Sequence, residues 1–345
     1  MTRFSATSVV ARSPWPHRAA VLLVCMTLVL LWVGALVTST NSGMAVPDWP
    51  TTYGYNPFFY PLQTWFNGPR QVFYEHSHRL LGSLIGTLAI GLVATSWFAE
   101  RRRWAFRLTV VALGMVIVQG LLGGLRVTHR DRTLAQVHGC FGPLFFAVTV
   151  AIATVTSGWW SKAALRLDRR AGRLQRLAIA TAAIAYLQLV LGTFVRHVST
   201  QTSIGEFRFF AMFHLLTALV LTAHVVLVGF RVLRNFADER LLVRPALALF
   251  GLIAVQLCLG VGTWLTHYGP PAWLSDNGWF ANNEWLAHYT VEAGSAWQTQ
   301  ITTAHVAVGS LIFGTSVALA LRSWRLLQGM PAPRSAERPL AGVTA

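Results

Sequence analysis

Eight stretches of the chain stay apolar for about the 20 residues that a hydrocarbon core roughly 30 Å thick demands of a helix. They cover approximately 19–38, 79–98, 106–126, 134–156, 176–196, 209–230, 245–266 and 298–321. The second opens with charged and polar residues before turning apolar. Lipid offers no partner to a free backbone N–H or C=O, so each stretch is expected to be helical. The pattern predicts an all-α polytopic membrane protein with eight transmembrane helices.

Composition agrees. Of 345 residues, 54% are hydrophobic and 12% charged, about half the charge density of a soluble domain. The net charge of +16 would suit a nucleic-acid partner only if it formed one patch. Instead the basic residues fall between the apolar runs. One side of the membrane collects 21 of the 28, including the Arg101–Arg102–Arg103 run, the Lys162–Arg176 segment and Arg322 to Arg338. The other side keeps Arg70, Arg79, Arg126, Arg130, Arg132, Arg196 and Arg208. The positive-inside rule then puts both termini in the cytoplasm, and no nucleic acid is needed to explain the charge.

The first span is longer than the usual apolar core of a signal peptide, and no A-x-A site follows it, so it is expected to be retained. A bacterial inner membrane is the expected location. The alternative is the mitochondrial inner membrane, since the 18 residues before the span lack acids and include three arginines. Cys25, Cys140 and Cys258 all fall within spans and are expected to be small buried apolar residues, neither disulfide-bonded nor bound to metal. The outer loops at 39–74 and 267–297 are nearly uncharged and rich in aromatic residues and proline. Such loops either lie at the interface or roof an outward-facing site.

A repeat runs through the spans. Three odd-numbered spans end in Gln119-x3-Gly123, Gln188-x3-Gly192 and Gln256-x3-Gly260, while the first keeps Gly34 but has Leu30 at the Gln position. Each even-numbered span carries a histidine near its outer end: His78, His138, His214 and His305. Four residues later come Gly82, Gly142, Ala218 and Gly309. The unit is a helix pair used four times. It predicts two pseudo-symmetric four-helix bundles in parallel: an N-terminal half (1–158), a cytoplasmic linker (159–176), a C-terminal half (177–325) and a cytoplasmic tail (326–345). Close helix approach alone explains small residues, but not the histidines that recur with them.

His138, His214 and His305 lie roughly 7–10 Å below the outer ends of their spans, with His78 at the start of its own. Four imidazoles in one layer suit iron. A zinc or copper site would want Cys, Asp or Glu at the same height, and these are scarce. Facing histidines suit a heme, whose porphyrin supplies the equatorial ligands. The small residue one turn deeper is expected to leave room for a flat macrocycle. Arg79, Arg126, Arg196 and Arg208 are available to heme propionates or are ordinary interfacial anchors.

The halves differ chemically. Glu75 stands three residues before His78, in Glu75-His76-Ser77-His78-Arg79, which puts both on one helix face. Glu75 either complements a helix N-terminus or moves protons and stabilises positive charge during oxidation of a heme substituent. His76 is expected to face away from His78, at the surface or in a loop. His129, His197 and His267 read as polar caps, His224 lies too deep to join the layer, and His17 and His288 fall outside the spans.

These features together resemble the heme A synthase family. The Glu75-x-x-His78-Arg79 string, the single histidines at 138, 214 and 305, Gly34-Ala-Leu-Val-Thr-Ser-Thr-Asn-Ser-Gly43, Pro47-Asp-Trp-Pro50 and Gly192-Thr-Phe-Val-Arg-His197 carry the likeness, over about residues 19–325. The resemblance implies oxidation of the C8 methyl group of heme O to a formyl group, for heme-copper oxidase biogenesis. It implies that His214 and His305 hold a prosthetic heme b, that His78 and His138 hold the substrate heme, and that Glu75 is the catalytic carboxylate. Heme O synthase, an unidentified electron donor and membrane lipid are the implied partners. The cysteine pair that many bacterial members carry in an outer loop is missing, with Val46 before Pro47 and no cysteine in 198–204. The rival expectation is a non-catalytic bis-histidine heme carrier or electron-transfer cytochrome.

Overall fold

A computed structural model describes residues 13–198, 202–270 and 291–329. Eight long helices dominate it: α1 (Trp15–Ser39), α3 (Arg70–Ala99), α4 (Arg103–Thr128), α5 (Arg132–Thr156), α7 (Ala171–Arg196), α8 (Ile204–Asn235), α9 (Arg240–Tyr268) and α10 (Ala296–Leu326). All eight are long and apolar enough to cross a membrane, and the protein is an all-α polytopic membrane protein. Two short helices, α2 (Leu62–Asn67) and α6 (Gly158–Lys162), lie in the connections. Strands β1 (Arg166–Leu167) and β2 (Leu327–Gln328) pair in parallel and tie the connection before α7 to the end of α10.

The helices begin earlier than hydropathy alone predicts, because hydropathy sees only the lipid-embedded stretch. The Arg70–His78 segment is polar yet helical, and Pro69 precedes its first residue. Ser203 caps α8, its hydroxyl accepting from the Glu206 amide at 3.1 Å, and Ser295 caps α10 through Gln298 at 3.2 Å. Each cap satisfies a donor that the helix itself cannot.

Two apolar cores hold the bundle. Leu23, Ile85, Leu92, Ala112, Phe145 and Ile152 join α1, α3, α4 and α5. A second core, with Leu174, Leu221, Val225, Leu249, Ile312 and Leu319 among its members, centres on α7 to α10. Helices α5 and α10 are central: half of each one's most apolar stretch is buried inside the protein, against 17–28% for the other six. They meet where Phe146 packs on Gly314, so closely that a Cβ there would come within 2.8 Å of the ring.

At one end the basic connections are tied to backbone. Arg102 donates to the Val155 carbonyl at 2.9 Å, Arg322 to Leu241 at 3.1 Å and Arg325 to Trp160 at 2.8 Å. The cysteines depart from expectation. All three are free, but Cys25 and Cys258 are exposed on the outside of the bundle and only Cys140 is partly covered. A lipid-facing surface is as apolar as a core, so hydropathy cannot separate the two. Most of the outer loop at 267–297, with His288, lies outside the described residues, as do Arg3, Arg12, Arg334 and Arg338.

Candidate functional site

Four helices bring His78, His138, His214 and His305 toward the end opposite the basic connections. His78 lies eight residues past the start of α3, His138 six past that of α5, His214 ten past that of α8 and His305 nine past that of α10. His78 is therefore set well inside its helix rather than at its mouth. The rings meet in two pairs. His78 and His138 have centroids 6.4 Å apart, and His214 and His305 6.3 Å apart. Among the described residues no three of His, Cys, Asp and Glu converge, so each pair stands alone.

Each imidazole is seated on the glycine of a neighbouring odd-repeat helix. A Cβ on Gly34 would come within 2.9 Å of His78 Cε1. The same measurement is 3.0 Å for Gly123 and His138, 3.0 Å for Gly192 and His214, and 3.2 Å for Gly260 and His305. The recurring glycine exists because a ring occupies the space of its missing side chain. The glutamine one turn earlier touches the same histidine. Gln119 donates to the His138 carbonyl at 3.0 Å, while the His138 Nδ1 lies 3.2 Å from the Gln119 carbonyl, the arrangement that leaves Nε2 to bind a metal. The amides of Gln188 and Gln256 lie 3.2 and 3.3 Å from the Nε2 atoms of His214 and His305. Nδ1 is buried without a hydrogen bond in His78, where Leu30 stands at the glutamine position, and equally in His214 and His305, so only His138 has its Nδ1 held.

At two of the four positions the space at the second small residue is filled by protein. Gly142 packs on Leu31 and Gln119, and Gly309 on Leu189 and Gln256, at 3.2–3.4 Å from a built Cβ. These glycines admit the glutamines rather than a flat ring. Gly82 does face open space, with nothing within 4 Å.

Two axial imidazoles on one heme iron, with about 2 Å per metal–nitrogen bond and about 1.1 Å more to each ring centre, have centroids roughly 6–6.5 Å apart. Both pairs have that spacing. The glutamine amides now occupy Nε2 of His214 and His305 and would have to turn away for a metal to bind there. Their Oε1 atoms are buried and unbonded, so no hydrogen bond on the oxygen opposes the rotation.

The loop after α1 is held against α3 beside the first pair. Glu75, 2% exposed, accepts the Val46 amide on Oε2 at 2.9 Å and the Arg79 guanidinium on Oε1 at 2.8 Å. Arg79 also donates to the carbonyls of Val46, Asp48 and Thr51 at 2.7–3.0 Å. The expected propionate partner is thus engaged in holding the loop. Trp49 lies directly on Gly124 of α4. Asp48 turns the loop by accepting the amides of Tyr53 and Gly54, both at 2.8 Å, and the Thr51 hydroxyl. Burial raises the Asp48 carboxyl pKa, and these bonds more than offset it, leaving it below the ordinary value.

Residues 17–210 match the family model of the cytochrome oxidase assembly proteins. The chain belongs to that family. It is similar to the heme A synthase of Shouchella clausii, 25% identical over 258 residues that make up 70% of this chain and 83% of that one. It is also similar to the heme A synthase of Halalkalibacterium halodurans, 24% identical over 69% and 83% of the two chains. The heme A synthase of Symbiobacterium thermophilum is 30% identical over 50% and 56%. The family is that of the heme A synthases, as the local strings imply.

Within this family member the remaining arginines occupy distinct places. Arg126, in the last turn of α4, brings its guanidinium within 3.1 Å of a Cβ built on Gly43, and its Nε is buried and unbonded. Arg196 crosses between the halves, donating to the Ala35 carbonyl at 2.6 Å and the Ser39 hydroxyl at 2.7 Å of α1. Ser39 in turn lies 3.3 Å from Thr303 on α10. Arg208 is exposed.

His76 corrects the sequence reading. It is fully buried, packed against Tyr60 and Trp65, with Nδ1 3.1 Å from the Thr52 hydroxyl. It points away from His78, as expected, but the returning loop covers it. The Tyr60, Trp65 and His76 cluster carried one signal in the sequence, the aromatic richness of 39–74. His197, which caps α7, lies beside Gly139, one residue from His138. Burial, joined by the charges of Arg196, Arg126 and Arg132, lowers its pKa against the Thr193 carbonyl that favours its proton.

Proposed function

We propose that this protein oxidises the C8 methyl group of heme O to a formyl group, the step that makes heme A for heme-copper oxidases. The observation that carries the proposal is the pair of imidazole couples at 6.4 and 6.3 Å, only one of which has a buried carboxylate on the same helix, three residues away. In this reading His78 and His138 hold the substrate heme, and His214 and His305 hold a prosthetic heme b. Bound heme b supplies one-electron redox chemistry.

The chain's own residues do the positioning. Gly34, Gly123, Gly192 and Gly260 set the depth and rotation of the four rings. Val46 and Arg79 hold the two oxygens of Glu75 in place, so that the carboxylate is pre-oriented. Set at one heme edge, Glu75 accepts a proton released from the substituent or stabilises positive charge there. The Val46–Tyr55 loop and Trp49 exclude water from that edge. Arg126, with its buried unbonded Nε, is a candidate partner for a propionate; Arg196 shares the unbonded Nε but spends a terminal nitrogen on α1. By the positive-inside rule the arginine-rich end is cytoplasmic, in a bacterial inner membrane, and the histidines face the outer leaflet. Methyl to formyl is a four-electron oxidation that also takes up one oxygen atom, so the reaction needs an external oxidant; a heme O synthase that supplies the substrate and an electron donor are the proposed partners beside it.

Coexpression with a heme O synthase, followed by extraction and chromatography of the hemes, tests the proposal. Heme A in the extract is the expected result. A protein that returns heme O and heme b unchanged would be a carrier or electron-transfer cytochrome instead.

A further inference from the structure

At the basic end, two neighbouring spanning helices line a shallow, open surface groove of about 350 Å³. Arg173 and Arg176 reach it from the start of α7, and Arg231 from the end of α8. Leu177, Ala180 and Leu227 form its apolar floor, one to two turns further toward the membrane centre. The acids nearby are committed elsewhere. Asp168 and Asp238 pair with Arg166, Glu100 pairs with Arg102, and Glu239 caps α9 through the Leu241 amide. Among the described residues, none of the three groove arginines takes part in an ion pair. The first turn of α7 holds no acid either.

We infer that this groove binds an anionic phospholipid, the three guanidiniums holding the headgroup phosphate and the floor receiving the upper part of an acyl chain. Both halves of the site are needed for that choice. Basic pockets between spanning helices are where anionic headgroups lodge, and an apolar floor continuous with the lipid-facing surface has no use for a small soluble anion. Guanidiniums also suit phosphate better than ammonium groups do, through paired N–H donors. The site is remote from the histidine layer and does not rest on the heme reading.

Native mass spectrometry of the purified full-length protein, incubated with phosphatidylglycerol, phosphatidylcholine or inorganic phosphate, tests the inference. The wild-type protein is expected to retain phosphatidylglycerol over phosphatidylcholine. Each arginine at such a surface is worth a factor of about five, so R173Q/R176Q/R231Q should reduce the preference by one to two orders of magnitude. Ala180→Phe fills the floor while leaving the charges, stays within the helix, and is expected to reduce retention as well. Equal retention of the two lipids by the wild type would overturn the inference. So would undiminished phosphatidylglycerol binding in either variant, or its displacement by equimolar inorganic phosphate, which would mark a plain anion site.

Discussion

The imidazole of His214 rests against Gly192 so closely that one added methyl group would meet its Cε1 at 3.0 Å. The ring and the absent side chain are complementary, and the relationship recurs at the other three histidines with glycines from the partner helix of each pair.

Gly192→Ala should therefore displace His214. Overpacking of this kind costs about 1–3 kcal/mol, and here it moves a ligand. If the proposed heme b is held by His214 and His305, the purified variant is expected to lose its low-spin bis-histidine spectrum, or to show it at reduced occupancy. Gly82→Ala, at a glycine with nothing within 4 Å, is the contrasting control and should leave that spectrum intact.

Replacing Glu75 with Gln keeps its shape and its contact with the Val46 amide but removes the charge facing Arg79. Heme A output should fall by at least about a hundredfold, the usual worth of a positioned acid or base, while both hemes remain bound. Full-rate heme A formation by Glu75→Gln would remove the carboxylate from the mechanism.

Arg196 joins α7 to the Ala35 carbonyl and Ser39 hydroxyl of α1. Charged hydrogen bonds of this kind are worth about 1.5–3 kcal/mol. Arg196→Gln should lower the thermal unfolding midpoint in detergent, with Arg196→Lys intermediate. An unchanged midpoint for both would show that the cross-helix bonds carry no net stability.

The Asp48 carboxyl has its pKa depressed in the fold. Its contribution to the loop is present above the unfolded carboxylate value and is lost only as pH falls through the lower folded value. Hydrogen exchange at the Tyr53 and Gly54 amides should thus show constant protection from pH 5 to 8, after correction for the intrinsic rate. Asp48→Asn should weaken that protection across the whole range, because the neutral amide is a poorer acceptor.

Much of the site was legible from periodicity. One histidine per helix pair, in register with Gln-x3-Gly, named His138, His214 and His305, and Gly34 tied the first span to the same unit. The reason for the glycines was not legible, since seating a ring on a neighbour depends on the rotation of both helices. His76 was misplaced because its burial comes from a loop that returns across α3, a contact no local pattern encodes. Arg79 looked free for a ligand for the same reason. Cys25 and Cys258 were assigned inward because lipid and protein interior make the same demand on a side chain.

Helix α10 follows the other seven described spans in the sequence, yet it lies against α1 and α5 and supplies Gly314 to Phe146. Until it is inserted, the earliest spans keep an uncovered flank. A chain stopped before residue 296 would hold the His78 and His138 helices without the strut between them and the second core.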